Sequence, residues 1–278
     1  MVDQKRFGLN RIAAPGLGLG DFYELAAKVG IGKVELRNDI GDGAVIDGME
    51  AKEALVLATR RGVRVITINA VQKFNLASAR QKARSELLRL LDLCGRIACP
   101  AIVLCPNNDA GDARDTESRF AETVDALRDF GPLFEKHGIL GLVEPLGFGI
   151  SSLASVGTAV KAIRLSGFSC YRIVVDTFHN HIGPDGLDEL CMAAEAGLVG
   201  LVHISGVEEK IPAGDFRDGH RILPGPKDVM GSKAIMKALD AAGYKGDISF
   251  EPFSEAVQRL SPDALAGAIG ASMSWLSE

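Results

Sequence analysis

The chain lacks paired cysteines, an excess of positive charge, a long apolar run and any linker-like stretch, and each absence removes a class of protein. Its five cysteines (Cys94, Cys99, Cys105, Cys170 and Cys191) are odd in number and show neither disulfide nor zinc-knuckle spacing, so they read as buried thiols of a reducing compartment. A net charge of -5 offers no general surface to nucleic acid, which is held by basic patches that displace counterions. No apolar run approaches the roughly 18 residues of a membrane span. The opening stretch MVDQKRFGLNRIAAPG carries a Lys-Arg pair without the apolar segment of a secretory signal. Together these features predict a cytoplasmic protein that meets neither nucleic acid nor membrane. No Pro-, Gly- or Ser-rich segment and no charge block divides residues 1–278, which are therefore read as a single domain.

What is present is a regular alternation. Short runs rich in Val and Ile occur at 7–13, 33–37, 64–71, 101–105, 141–146, 172–178, 198–204 and 247–253. They lack strict polar alternation, the pattern of strands buried on both faces in a parallel sheet. Amphipathic segments fill the gaps. Asp21, with Glu24 three residues on, predicts a capped helix that ends at Gly30. Phe120, Val124, Leu127, Phe130 and Phe134 keep helical spacing up to Gly138, and Ser261-Pro262 opens the last helix. Further helical patterns lie near 50–61, 76–97, 155–165, 186–196 and 231–242. Eight strands alternating with eight helices predict an α/β fold, a single (β/α)8 TIM barrel. The one long irregular segment, 206–230, follows the seventh strand and should lie on the rim of the strand C-termini.

Four successive runs carry an ionisable residue towards their ends: Glu144 in GLVEPL, Asp176 in RIVVDTFH, His203 in LVGLVHIS and Glu251 in DISFEPF. Adjacent parallel strands can aim all four at one point. Three buried carboxylates repel one another in a low dielectric, and a divalent cation removes that penalty. One imidazole with several carboxylates suits Mn, Co, Mg or Zn, with a slight preference for Mn. Glu35, Arg37, Asn69 and Asn107 stand at or just beyond the ends of earlier runs, where they could bind hydroxyls.

The strings VEP, VDTFH, VHISG and FEPF, in this order, resemble the xylose-isomerase-like barrel superfamily, which includes ketose 3-epimerases, inosose isomerases, dehydratases and an AP-endonuclease. The resemblance implies that Glu144, Asp176, His203 and Glu251 are metal ligands. It also implies that His179 contacts a substrate oxygen and that Arg221, in DGHRILPGP, closes over the substrate. The activity it implies is metal-dependent isomerisation or epimerisation of a keto-sugar or keto-inositol through an enediolate. Glu144 and Glu251 would then act as acid and base, in addition to ligation. A dehydratase of inosose or 3-dehydroshikimate type would share the first proton abstraction. Ketose 3-epimerases carry a further acid a few residues past the strand-five glutamate, and PLGFGIS has none, which favours the sugar-isomerase and inositol-catabolism branch. The expected partner is a small polyhydroxylated carbonyl compound, and the barrel's outer helices suit a homodimer or tetramer.

Two rival readings fail on particular residues. GLGLG (16–20), with Glu35 beyond it, approaches a dinucleotide fingerprint but has Asp21 at the last glycine. A three-zinc nuclease needs more ligands than five histidines supply once His137, before Gly138, is read as a helix C-terminal residue and His181 as loop surface.

Overall fold

The computed structural model describes residues 2–278. Eight strands run parallel and close into a barrel in chain order: β1 (Phe7–Asn10), β2 (Lys33–Arg37), β3 (Arg64–Val71), β4 (Ala101–Leu104), β5 (Leu140–Val143), β6 (Tyr171–Asp176), β7 (Val199–Ile204) and β8 (Ile248–Phe250). The helices are α1 (Leu19–Lys28), α2 (Ala51–Arg60), α3 (Arg80–Ile97), α4 (Thr116–His137), α5 (Val156–Ser166), α6 (Thr177–Ile182), α7 (Leu187–Glu195), α8 (Ser232–Ala241), α9 (Glu255–Gln258) and α10 (Pro262–Ser277). The short α6 and α9 are additions to the expected alternation. Among the described residues no helix is long and apolar enough to cross a membrane.

Of the three apolar clusters, one joins Phe178 to the segment after β7 through Val207, Phe216 and Met230, and the other two follow from the period of two along each strand. One set of strand side chains, such as Ile173, Val175, Val202 and Ile204, packs outward with the helices. The alternate set, Ile66, Val103, Leu142, Val174 and Leu201, plugs the barrel. Two residues beyond Leu142, Val174 and Leu201 stand Glu144, Asp176 and His203. The same alternation that turns the plug inward therefore turns these side chains into the mouth.

Several local expectations shift. Helix α1 starts at Leu19, with Gly18 before it, so Asp21 lies in the first turn rather than at the cap. The cap comes from elsewhere: Asp47 Oδ2 accepts the Leu19 amide at 2.6 Å and an Arg11 Nη2 bond at 2.7 Å. A carboxylate from a distant loop does the work that a local side chain was expected to do, and it occupies the position a phosphate would need. The run at 172–178 does not stay extended to its end, because Asp176 caps α6 and draws Thr177 and Phe178 into the helix. Gly30, Gly138 and the Ser261-Pro262 start behave as expected, both glycines having positive φ at helix ends. Segment 206–230 holds two 3-10 turns and an antiparallel bridge between Gly206 and Ile222, and it brings the buried Arg221 to the mouth.

Candidate metal centre

Glu144 and Glu251 stand one residue past β5 and β8, still in line with their strands. Their amides donate to Leu104 O (3.1 Å) and Ile204 O (3.0 Å). Asp176 closes β6 and has a divided role. Its Oδ1 accepts the amides of Phe178 (2.7 Å) and His179 (3.2 Å), which leaves Oδ2 for the mouth. His203 lies directly opposite Asp176 in the β6–β7 register. Its Nδ1 is 2.8 Å from Glu144 Oε1, 3.2 Å from Glu251 Oε2 and 4.0 Å from Asp176 Oδ2. One ligand atom from each of the four residues falls within 4.8 Å of all the others.

The surroundings are buried and highly charged. Four buried carboxylates, Glu35, Glu144, Asp176 and Glu251, share the site with two buried guanidiniums, Arg37 and Arg221. Carboxylates outnumber guanidiniums here, and Arg37 also serves Asp39 through two bonds of 2.7 Å. A divalent cation offsets such an excess of negative charge, and the four residues can hold one. The guanidiniums bond the same carboxylates. Arg221 Nη2 reaches Asp176 Oδ2 at 2.5 Å and Glu251 Oε2 at 2.7 Å, and Arg37 Nη1 reaches Glu251 Oε1 at 2.9 Å.

The titration behaviour follows from these contacts. Burial opposes charge on His203, but Glu251, Glu35 and Glu144 outweigh it and hold its pKa well above the ordinary value. Burial likewise opposes charge on Glu251, yet His203 and Arg221 keep it well below the carboxylate range. Asp176 goes the other way: burial raises it, and Arg221 only partly compensates. His179 is pulled down to about 4 by burial and by Arg221, so it is neutral at pH 7.

A cavity of about 200 Å³ opens over this cluster, with Asn69, Glu144, His179, Arg221, Glu251 and Phe253 in its wall. Of the residues singled out in the sequence, Glu144, Glu251, Arg37, Asn69, His179 and Arg221 line it, whereas Asp176 and His203 are buried and outside its wall. Glu35 does not line it either. Its carboxylate is fully buried behind the His203 ring, with Oε2 accepting from Thr67 Oγ1 (2.6 Å) and Asn69 Nδ2 (2.9 Å) and lying 3.1 Å from His203 Nε2. The expectation that Glu35 binds substrate hydroxyls is therefore corrected. Asn107 turns its amide to Asp112, and its neighbour Asn108 lines the cavity instead. His220 accepts the Arg217 amide at Nδ1 and meets the Phe216 ring edge-to-face. His137 bonds the Leu133 carbonyl near the end of α4, as a helix C-terminal residue should.

Sequence reasoning missed the aromatic seats of the site. The Arg221 guanidinium lies over Phe253 and Phe178, 4.6 and 5.1 Å from the ring centroids. Phe148 meets the His179 ring edge-to-face at 5.2 Å. Phe253 was in view as part of FEPF, two residues past Glu251, and Phe178 as part of DTFH. Phe148 had no such signal.

Fold and site together define a parallel barrel with a carboxylate–imidazole cluster at its mouth. The chain belongs to the xylose isomerase-like TIM barrel family, whose model matches residues 23–278. It is 35% identical to a xylose isomerase domain containing protein from Salmonella typhimurium LT2, a match that covers 100% of this chain and 99% of that one with a TM-score of 0.92. The IolI protein, solved with a zinc atom, superposes with a TM-score of 0.90 at 19% identity over 98% of both chains. D-psicose 3-epimerase from Clostridium cellulolyticum H10, solved with D-tagatose, gives 0.75 at 17% identity over 98% of this chain and 99% of that one. At such identities the last two speak for the fold alone. No curated protein matches the chain.

Proposed function

We propose that the protein is a divalent-metal-dependent isomerase or epimerase of a keto-sugar or keto-inositol, with Glu144, Asp176, His203 and Glu251 as its metal ligands. The observation that carries the reading is the convergence of three carboxylates on His203 Nδ1 in a buried site where carboxylates outnumber guanidiniums. Zinc in the IolI structure and a sugar in the epimerase structure are in keeping with it, and manganese is the first ion to load. Bound there, a divalent ion supplies Lewis acidity to a carbonyl oxygen and lowers the cost of enediolate charge.

The chain's own residues divide the remaining work. Glu144 meets His203, a Cys105 thiol at 3.5 Å and no guanidinium, so it keeps lone pairs for a proton on the carbon next to the carbonyl. Glu251 accepts from both Arg37 and Arg221 and faces the cavity from three strands away; as the second acid/base group it takes up a proton from solvent and passes it to carbon, while Glu144 releases the proton it took to solvent. His179, neutral and held between Phe148 and Phe178, bonds a substrate hydroxyl. Arg221 and Asn69 grip further oxygens from the cavity wall.

The test is proton exchange. Metal-loaded enzyme in D2O is screened by NMR against ketoses, inososes and dehydroshikimate. The expected result is deuterium at a carbon beside the carbonyl of one substrate. Loss of water from that product would assign the same first step to a dehydratase. No exchange in any of these carbonyl compounds would overturn the reading.

A further inference from the structure

Glu35 is a buried carboxylate that the chemistry above does not use. It projects into the barrel from the middle of β2, beside Asn10 in the β1–β2 register and Thr67 in the β2–β3 register. Thr67 and Asn69 hold Oε2, and Asn10 Nδ2 holds Oε1 at 3.3 Å. This is a carboxylate fixed by three neutral donors. Oε2, the oxygen that Thr67 and Asn69 hold, also lies 3.1 Å from His203 Nε2.

A neutral imidazole carries one proton, and the partner of one nitrogen decides which nitrogen is left free. The two nitrogens of His203 face different worlds. Nδ1 looks at Glu144, Glu251 and Asp176, whereas Nε2 looks at Glu35. We propose that Glu35 is the positioning residue of the metal centre: it accepts the Nε2 proton of His203 and so keeps the Nδ1 lone pair turned to the ion. A hydroxyl or amide at the same place would be a weaker acceptor, and a water molecule would leave the ring free to turn. The proposal rests on the four-ligand reading and adds a fifth residue that never touches the ion or the substrate.

The experiment uses the full chain and Co2+ alone. Dissociation constants are measured by chelator competition and by visible absorption for the parent, Glu35→Gln and Glu35→Leu. Circular dichroism checks that each variant is folded. Carboxylate partners of ligating histidines contribute on the order of 10–100-fold to metal affinity, and that loss is expected in both variants. A parent that takes up no Co2+ overturns the four-ligand reading and this proposal with it. A parent that binds and a folded Glu35→Gln variant that binds equally well overturns the role of Glu35 alone. Cd2+ enriched in its spin-active isotope, added to 15N-histidine-labelled parent protein, supplies a readout that needs no variant at position 35. Coupling of the metal to Nδ1 of His203 is expected, and coupling to Nε2 would overturn the proposal.

Discussion

Replacing Arg221 with methionine should loosen the ion-free protein and tighten its grip on the ion. The guanidinium is buried and bridges Asp176 and Glu251, two of the four proposed ligand residues. Methionine keeps the apolar stem between Phe178 and Phe253 and removes only the charge. Without an ion, the buried carboxylates then lose one of their two guanidiniums. Breaking a buried ion pair in this way costs about 3–5 kcal/mol. For 278 residues the unfolding entropy is about 0.6 kcal/mol per degree, so the melting temperature in EDTA should fall by about 5–9 °C. Ion binding should move the other way, because the guanidinium competes for the same oxygens. Two unit charges 4 Å apart interact by about 4 kcal/mol near a protein surface, and relief of a third of that tightens binding about tenfold. Scanning calorimetry in EDTA and Mn2+ titration read the two effects separately. A variant that melts with the parent in EDTA, or that binds Mn2+ more weakly, would refute the charge argument. The same variant should raise KM for the true substrate.

Three further outcomes are expected. His203→Ala and Glu251→Gln should each lower metal affinity by orders of magnitude, and metal content unchanged in either purified variant counts against the ligand set. Ion binding should also release a proton. The raised pKa of His203 means that the ion-free protein holds this proton through neutral pH; the stability it brings is complete below about pH 6.5 and is lost as pH rises through the raised value. Affinity should therefore climb by up to tenfold per pH unit across neutral pH, and calorimetric titrations in buffers of different ionisation heat should count at least one released proton. Gly147→Ala should destabilise the protein by about 1–3 kcal/mol, since the added methyl would lie 2.0 Å from the His179 carbonyl oxygen and 2.8 Å from the Gly183 nitrogen, both backbone atoms that cannot easily yield. A thermal melt unchanged from the parent would contradict that packing.

The barrel and its cluster were legible because both rest on short-range rules. Val/Ile runs between helical segments give the strand count, and the period of two carries inward direction from Leu142, Val174 and Leu201 to Glu144, Asp176 and His203. What was hidden depends on contacts between distant segments. The cap on α1 comes from Asp47, 28 residues from Leu19. The role of Glu35 appears only when β2 and β7 face each other across the barrel, 168 residues apart in sequence. Asp176 was visible as an acid at a strand end, but its second duty as the cap of α6 moved Phe178 from strand to helix.

That second duty has a consequence for how such a site can diversify. Asp176 turns one oxygen to the mouth and anchors the first turn of α6 with the other, and His179 rides on that turn. The proposed strand-six ligand and the histidine wall of the pocket are thus a single mechanical part. Phe148, against the His179 ring, and Arg221, on Asp176 Oδ2, are coupled to the same part from two separate loops. On the proposed reading, a substitution that moves either loop shifts the ligand and the substrate contact together.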